Sequence, residues 1–354
     1  MGFAPSMSDQ PLTLPESPRA LIVGAGSVGL SLAAWLAPRW RGLTVLARGA
    51  SADVLAERGV RSRTGDGPEE AAPVRVVRQP DPATPFDLVL ICVKTFHLAG
   101  IADMVREAWG PDVIVLGVQN GLENQAILSA RFSRPLFGIA GWNARRTAPG
   151  EVEAERRGEL VLGAADPALY PLAVSVAARM APALPVRAVE RFTDAAWSKV
   201  VINLINATTA LVGLGQREIE DREALRQLVV GGINEGLAVL RAAGVREVRF
   251  QGIPPWWLLR LGEVAPTWIA RRIFERNIRK VFISSMGQDL AAGAEATELE
   301  TINGALLGLA EAHGVEAPML SAITAIARER FAARPFQPMT EAALRAAVRA
   351  RAGR

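Results

Sequence analysis

The hydrophobic positions change rhythm part-way along the chain. In the first half, short aliphatic and β-branched runs recur: "ALIVGAG" (20–26), "LTVLAR" (43–48), "DLVLICVK" (87–94) and "DVIVLGVQN" (112–120). Segments with apolar residues at helical spacing lie between them, such as "SVGLSLAAWLA" and "LAGIADMVREAW". Runs this short and this rich in Val, Ile and Leu predict buried strands. Their alternation with helices predicts βαβ units and a parallel sheet with helices on both faces. Residues 135–167 read as further strands at the edge of the same sheet. From about residue 190 the strand rhythm stops. "RFTDAAWSKVVINLINATTAL", "REALRQLVVGGINEGLAVLRAAG", "ELETINGALLGLAEAHG" and "PMLSAITAIARERFAA" all carry the helical period. The expected layout is a flexible arm over 1–18, an α/β nucleotide-binding domain over 19–188, an all-helical domain over 189–335 and a helical tail over 336–354 with a frayed end.

At 354 residues, half of them hydrophobic, the chain is long enough for two domains with separate cores. No apolar run reaches the ~18–20 residues of a membrane-spanning helix, so membrane insertion is not expected. The first 17 residues lack a basic start followed by an apolar stretch and do not read as a secretory signal. One cysteine, Cys92, excludes an intrachain disulfide framework and a Cys-rich zinc site. Two distant histidines, His97 and His313, give no metal-ligand spacing. A reducing cytoplasmic location fits these features. The net charge is only +4, with acids and bases interleaved, and the pI of 9.9 follows from using arginine for lysine. Nucleic-acid binding is not expected.

"VGAGSVGL" (23–30) holds Gly24, Gly26 and Gly29 at G-x-G-x-x-G spacing, after an expected strand and before an expected helix. That context gives the motif its meaning. The first glycine allows a tight turn, the second a close approach of backbone to pyrophosphate, the third close packing of helix on strand. The helix start at Ser27 and Val28 supplies N–H donors to the anion. About 20 residues on, where NAD-binding proteins place an acid for the ribose hydroxyls, this chain has Arg48. A guanidinium can pair with a 2′-phosphate that an acid would repel, so NADP(H) is expected over NAD. Two further loops leave the carboxyl ends of expected strands, where open α/β sheets bind ligands: "CVKTFHL" with Lys94 and "VQNGLEN" with Asn120. Lys94 is placed to reach cofactor phosphate or ribose, and Asn120 to bridge nicotinamide ribose and substrate. Asn120-Gly121 also reads as a plain turn.

Of the 40 Lys and Arg residues only three are lysine: Lys94, Lys199 and Lys280. Lys199 heads "WSKVVINLINATTAL", a helix apolar nearly all round. On an unbroken helix Lys199, Asn203 and Asn206 fall at i, i+4 and i+7, on one face. A stripe of one amine and two amides needs polar partners. It reads either as the wall of a ligand site or as a lysine paired with a buried carboxylate. Lysine can also trade a proton near neutrality when its pKa is lowered, and arginine cannot. A general acid for a carbonyl oxygen can therefore be Lys199.

"VGAGSVGL", "LTVLARG", "ICVKTFHL", "VQNGLEN", "WSKVVINLINATTAL", "SSMGQDLAAGAEATELETINGALL" and "HGVEAP" resemble, in order, the motifs of ketopantoate reductases (2-dehydropantoate 2-reductases), over about residues 19–330. The resemblance implies an N-terminal Rossmann domain, a helical C-terminal domain and an active cleft between them. It implies NADPH as reductant and a small 2-keto acid as substrate. By position it implies Lys199 as proton donor and Glu298 as the acid that supports catalysis. Asn120 matches the asparagine at substrate and nicotinamide, Asn203 the first substrate-binding asparagine of the helix and Ser285 the serine at the substrate carboxylate. Asn206 is taken as the second substrate-binding asparagine although its spacing differs. Arg48 and Lys94 match cofactor contacts, with Arg48 at the 2′-phosphate.

The pattern departs from the family in three places. The second helix asparagine, Asn206, comes seven residues after the lysine rather than eight and is followed by Ala207, not proline. The step from Ser285 to Glu298 is one residue longer than the commonest spacing. The segment 250–280, with Trp256, Trp257 and Trp268, exceeds that of compact members. It reads as a lid, a homodimer contact or an enlarged substrate wall, and more remotely as a membrane-touching amphipathic helix. The expected reaction is NADPH-dependent reduction of ketopantoate to pantoate for pantothenate synthesis. The alternatives are reduction of a bulkier 2-keto acid and a non-catalytic NADP(H)-binding regulator.

Overall fold

The structure is a computed structural model. It describes residues 13–353 except 265–266, 279–283, 295 and 334. The chain divides into two compact units: residues 1–119 with 123–193, and residues 120–122 with 194–354.

The strands of the first unit are β1 (Ala20–Val23), β2 (Thr44–Leu46), β3 (Val60–Thr64), β4 (Glu69–Ala72), β5 (Arg75–Val77), β6 (Leu88–Ile91), β7 (Val115–Gly117), β8 (Pro135–Ala140), β9 (Ala144–Ala148), β10 (Glu151–Ala154), β11 (Leu160–Gly163) and β12 (Val186–Ala188). Its helices are α1 (Ser27–Leu36), α2 (Gly49–Arg58), α3 (Thr95–Trp109), α4 (Glu123–Ser129) and α5 (Tyr170–Met180). Eight strands form one sheet in the order β12-β11-β8-β7-β6-β1-β2-β5. All neighbours are parallel except β8 and β11. The four strands expected from the apolar runs are β1, β2, β6 and β7, and every residue of the four is buried. Strands covered on both faces need no polar alternation, and these runs have none.

The edge reading of residues 135–167 is only half right. β8 and β11 do join the main sheet, but β9 and β10 join β3 and β4 in a second sheet, in the order β4-β3-β10-β9. That sheet packs on α1, which the main sheet supports through β1. Eight of the ten residues of α1 are buried, including Leu30, Leu32, Trp35 and Leu36. A helix covered by two layers has to be apolar nearly all round. β9 and β10 are thus strands as expected but of a different sheet, and β3 and β4 carry no apolar run that would mark them. The charges of this sheet pair across its strands, Arg61 with Glu69 and Glu151, and Arg145 with Glu153. Leu14 also departs from the expected flexible arm. It is buried, its N–H donates to Ser175 Oγ at 2.8 Å, and its carbonyl accepts from Arg179 Nε at 3.2 Å.

The second unit is built of α6 (Phe192–Asn203, entered from the first unit), α7 (Ile205–Leu211), α8 (Arg222–Ala242), α9 (Trp256–Val264), α10 (Thr267–Ile278), α11 (Ser285–Ala291), α12 (Ala305–Ala312), α13 (Pro318–Ala332) and α14 (Glu341–Ala352). Among the described residues it has no β-strand, only a bridge between Leu214 and Arg217. α7, α8, α12 and α13 share a core that includes Leu211, Leu237, Leu306 and Ile323. The expected surface tail is better anchored than its composition suggested. Leu344 and Val348 of α14 are buried, and the buried Glu341 accepts from Arg217 and from the Asp221 N–H. No helix among the described residues is long and apolar enough to cross a membrane.

Candidate active site

In the first unit the glycine loop leaves the carboxyl end of β1. Gly24 has φ +111°, and a Cβ there would lie 3.0 Å from Val93 Cγ1 and 3.1 Å from the Cys92 carbonyl. Gly29 is tighter: a Cβ would meet the Gly24 carbonyl oxygen at 2.0 Å and Cys92 Cβ at 3.2 Å. Gly26 differs in kind, with nothing within 4 Å of its added Cβ. So Gly24 and Gly29 are held small by the protein, and Gly26 faces open space at the start of α1. This separation fits the three duties of a dinucleotide loop. No acid stands in the first turn of α1 to oppose an anion there. Burial pushes the Cys92 thiol beneath this loop up to about 12.

Arg48, exposed, ends the β2 segment and occupies the N-cap position of α2. Lys94, half-buried, occupies the N-cap position of α3, just beyond β6. Both lie beyond the carboxyl ends of parallel strands flanking β1 in the sheet. Gln119, which sequence reasoning passed over, ties the ends of β6 and β7 together. Its Nε2 donates to the Ile91 carbonyl at 2.6 Å and the Val93 carbonyl at 3.2 Å.

Two polar residues of the second unit, Glu298 and Asn203, meet at the short segment 120–122. Asn120 Nδ2 donates to Glu298 Oε2 at 3.1 Å, and Asn203 Nδ2 donates to Asn120 Oδ1 at 3.4 Å. Glu298 and Asn203 are buried. The chain makes this junction with Gly121 at φ +89°, where a Cβ would sit 2.9 Å from the Thr301 carbonyl. A side chain at 121 would therefore push Asn120 away from Glu298. Thr301 belongs to a π-helical turn, Glu300–Gly304, just after Glu298. Such turns are uncommon and concentrate at functional sites.

Asn206 Nδ2 donates to Ser285 Oγ at 3.3 Å. Ser285 opens α11, whose N-cap is Ser284. Ser284 Oγ accepts from the Gly287 N–H at 3.2 Å and donates to the Asn206 carbonyl at 3.3 Å. Ser284 was missed as a supporting residue, although a serine just before a helix is a readable cap signal. Lys199, half-buried, is one turn before Asn203 on α6.

The unbroken helix expected through this stripe is not observed. α6 ends at Asn203 and α7 begins at Ile205, with Leu204 in a turn whose N–H donates to the Val201 carbonyl at 3.3 Å. An i to i−3 bond tightens the backbone there and turns the residues beyond it away from ideal α register. Asn203 and Asn206 accordingly serve different partners.

Residues 20–167 match the family described as ketopantoate reductase PanE/ApbA, and residues 191–331 match its C-terminal part. The chain belongs to the ketopantoate reductase family. A 2-dehydropantoate 2-reductase of Halobacterium salinarum is 29% identical over 327 residues, covering 88% of this chain and 98% of that protein. A PanE/ApbA family ketopantoate reductase from Ralstonia eutropha JMP134 superposes with TM-score 0.71 at 26% identity, covering 88% and 97%. A D-mandelate dehydrogenase in complex with NADH and anilino(oxo)acetate shares the fold, with TM-score 0.73 at 18% identity, covering 88% and 98%. The protein is an oxidoreductase of the 2-dehydropantoate 2-reductase type.

Proposed function

We propose that this protein reduces a 2-keto acid to a 2-hydroxy acid with NADPH, and that the substrate is ketopantoate and the product pantoate. The observation that carries the reading is the linked set Asn203, Asn120 and Glu298, one helical turn from Lys199. Two amides linked in series to a buried carboxylate, on the helix that carries a half-buried lysine one turn earlier, form the kind of polar cluster that a ligand site needs and a helical core does not. NADPH supplies the hydride when bound. Gly24, Gly26 and Gly29 form its pyrophosphate loop with the Ser27 and Val28 N–H groups, and Arg48 and Lys94 bind its phosphates and ribose. Arg48 at the end of β2 favours NADP(H), because NAD-specific sites carry an acid there.

On the substrate side, Ser285 and Asn206 hold the carboxylate, and Asn203 and Asn120 orient the keto acid. Lys199 faces the keto oxygen. As the carbon accepts its hydride, the oxygen gains negative charge, and the ammonium stabilises that charge and transfers its proton. The lysine is reprotonated from solvent after product leaves. Glu298 fixes the Asn120 amide so that Asn120 keeps one orientation toward substrate.

The test is NADPH oxidation followed across a panel of 2-keto acids, comparing kcat/KM. Ketopantoate should lead the panel, and Lys199→Ala should lower turnover by ~10²-fold or more with NADPH binding retained. Unchanged turnover in that variant sinks the assignment of Lys199. A second reading, a bulkier 2-keto acid, is favoured by the seven-residue step to Asn206 and by the long segment 250–280. A larger keto acid leading the same panel would select it.

A further inference from the structure

The neighbouring strand brings a second guanidinium to the place where Arg48 stands. β5 pairs in parallel with β2, with Leu46 opposite Val77, and the Ala47 N–H donates to the Val77 carbonyl at 3.1 Å. Both strands therefore end at the same level of the sheet. Ala47 leads into Arg48 on one, and Val77 into Arg78 on the other. Arg78 does not turn away from α2, the helix that Arg48 caps. Its Nη2 is bonded to Asp53 Oδ1, one turn along that helix from Gly49. So Arg48 and Arg78 flank the first turns of one helix, and both are exposed to an incoming ligand.

We propose that Arg78 is a second determinant of cofactor choice, binding the 2′-phosphate of the dinucleotide together with Arg48. The proposal rests on the NADP(H) reading above and assigns it a further residue. A phosphate monoester carries about −1.5 to −2 charges near neutrality, so one guanidinium leaves part of that charge uncompensated. Arg78 answers a second difficulty at the same place. α2 carries two acids, Asp53 and Glu57, and a carboxylate there would repel the phosphate. Glu57 is paired with Arg58 and Asp53 with Arg78. The pair with Asp53 occupies one nitrogen of Arg78, and the fork has further N–H groups for phosphate oxygens. Asp53 is thus a positioning residue that holds Arg78 beside α2.

The experiment measures binding, not turnover. Full-length wild type, Arg48→Gln, Arg78→Gln and Arg78→Lys are titrated by calorimetry with 2′-phospho-ADP-ribose and with ADP-ribose. Expected is about a tenfold or greater loss for 2′-phospho-ADP-ribose in Arg78→Gln, with ADP-ribose unchanged and partial recovery in Arg78→Lys. Raising the salt should narrow the gap between wild type and Arg78→Gln. If Arg48→Gln weakens the phosphorylated ligand and Arg78→Gln does not, Arg78 is refuted and the NADP(H) reading survives. If Arg78→Gln weakens both ligands equally, its role is structural and the proposal fails. If wild type does not distinguish the two ligands, the NADP(H) reading itself fails, and the proposal with it.

Discussion

Gly29→Ala sets two physical effects against each other, and the structure says which wins. Gly29 lies in the first turn of α1, where alanine is the better helix former by up to about 1 kcal/mol. Propensity alone therefore predicts a more stable protein. The added Cβ would lie 2.0 Å from the Gly24 carbonyl oxygen, whereas such contacts essentially never fall below 3.0 Å. Helix and loop must then separate by about 1 Å, yet the loop is held by the Gly24 N–H bond to the Leu46 carbonyl, and α1 is buried between two sheets. Overpacking of this kind costs roughly 1–3 kcal/mol, or more where backbone must move. We expect a net loss of about 2 kcal/mol, which lowers Tm by about 4–8 °C in domains of this size. Gly26→Ala is the matched control. Its Cβ meets nothing within 4 Å and its φ of −83° suits any residue, so Tm should stay within about 2 °C while dinucleotide affinity falls. Thermal melts of both variants, with and without NADP(H), read the two effects separately. A Gly29→Ala melt at or above wild type would refute the steric argument, and full dinucleotide affinity in Gly26→Ala would refute the loop assignment.

Cys92, pushed up to about 12 by burial, has about 10⁻⁴ of its thiol ionised at pH 8, so Ellman's reagent should react with the native protein only slowly and rapidly in denaturant. Fast native labelling would contradict its burial. Glu341→Ala removes a buried acceptor of the Arg217 guanidinium and the acceptor of the Asp221 N–H, while Arg217 keeps the Val212 carbonyl and Glu220, and should cost roughly 1–3 kcal/mol in urea melts, with Glu341→Gln losing less. The Arg328 hydrogen bond, aided by its charge, holds the Glu300 carboxyl below its ordinary 4.5. A lowered carboxylate stabilises above the unfolded value and loses that contribution as pH falls through the folded one. The Tm gap between wild type and Arg328→Gln should therefore be open at about pH 6 and close as pH falls below 4.5 and through the lowered value of the folded protein. A gap that persisted into the acid range would remove the ion pair as its cause.

The parallel sheet was legible because burial on both faces leaves strands with no polar alternation to interpret, as in Leu88–Ile91. The second sheet was legible only in part. Residues 135–167 read as strands, but the sheet that β9 and β10 join is not written there, and β3 and β4 carry no apolar run. Arg61, Glu69, Arg145, Glu151 and Glu153 pair only once chain-distant strands have met. The glycine pattern reads as a dinucleotide loop, but only the packing distinguishes the two glycines that the protein itself holds small from the one that faces open space. Arg78 was invisible for a related reason. Thirty residues separate it from Arg48, and the strand register that makes them neighbours is not written in either segment.

The stripe after Lys199 shows where a periodicity argument stops. An ideal helix would set Lys199, Asn203 and Asn206 on one wall, and by that rule Asn206 stands one position too early for the family's spacing. The backbone does not follow the rule, because Leu204 bonds back to Val201 and splits the helix. A residue in a tight turn advances by about 120° rather than 100°, so each such step carries the residues beyond it further round the axis. One such step turns Asn206 by only about 20° of the roughly 100° to the next position, so the tight turn does not by itself restore the longer spacing, and Asn206 meets Ser285 from where it stands. The distances from Asn203 to Asn120 and from Asn206 to Ser285 say more than residue counting about what the stripe can hold.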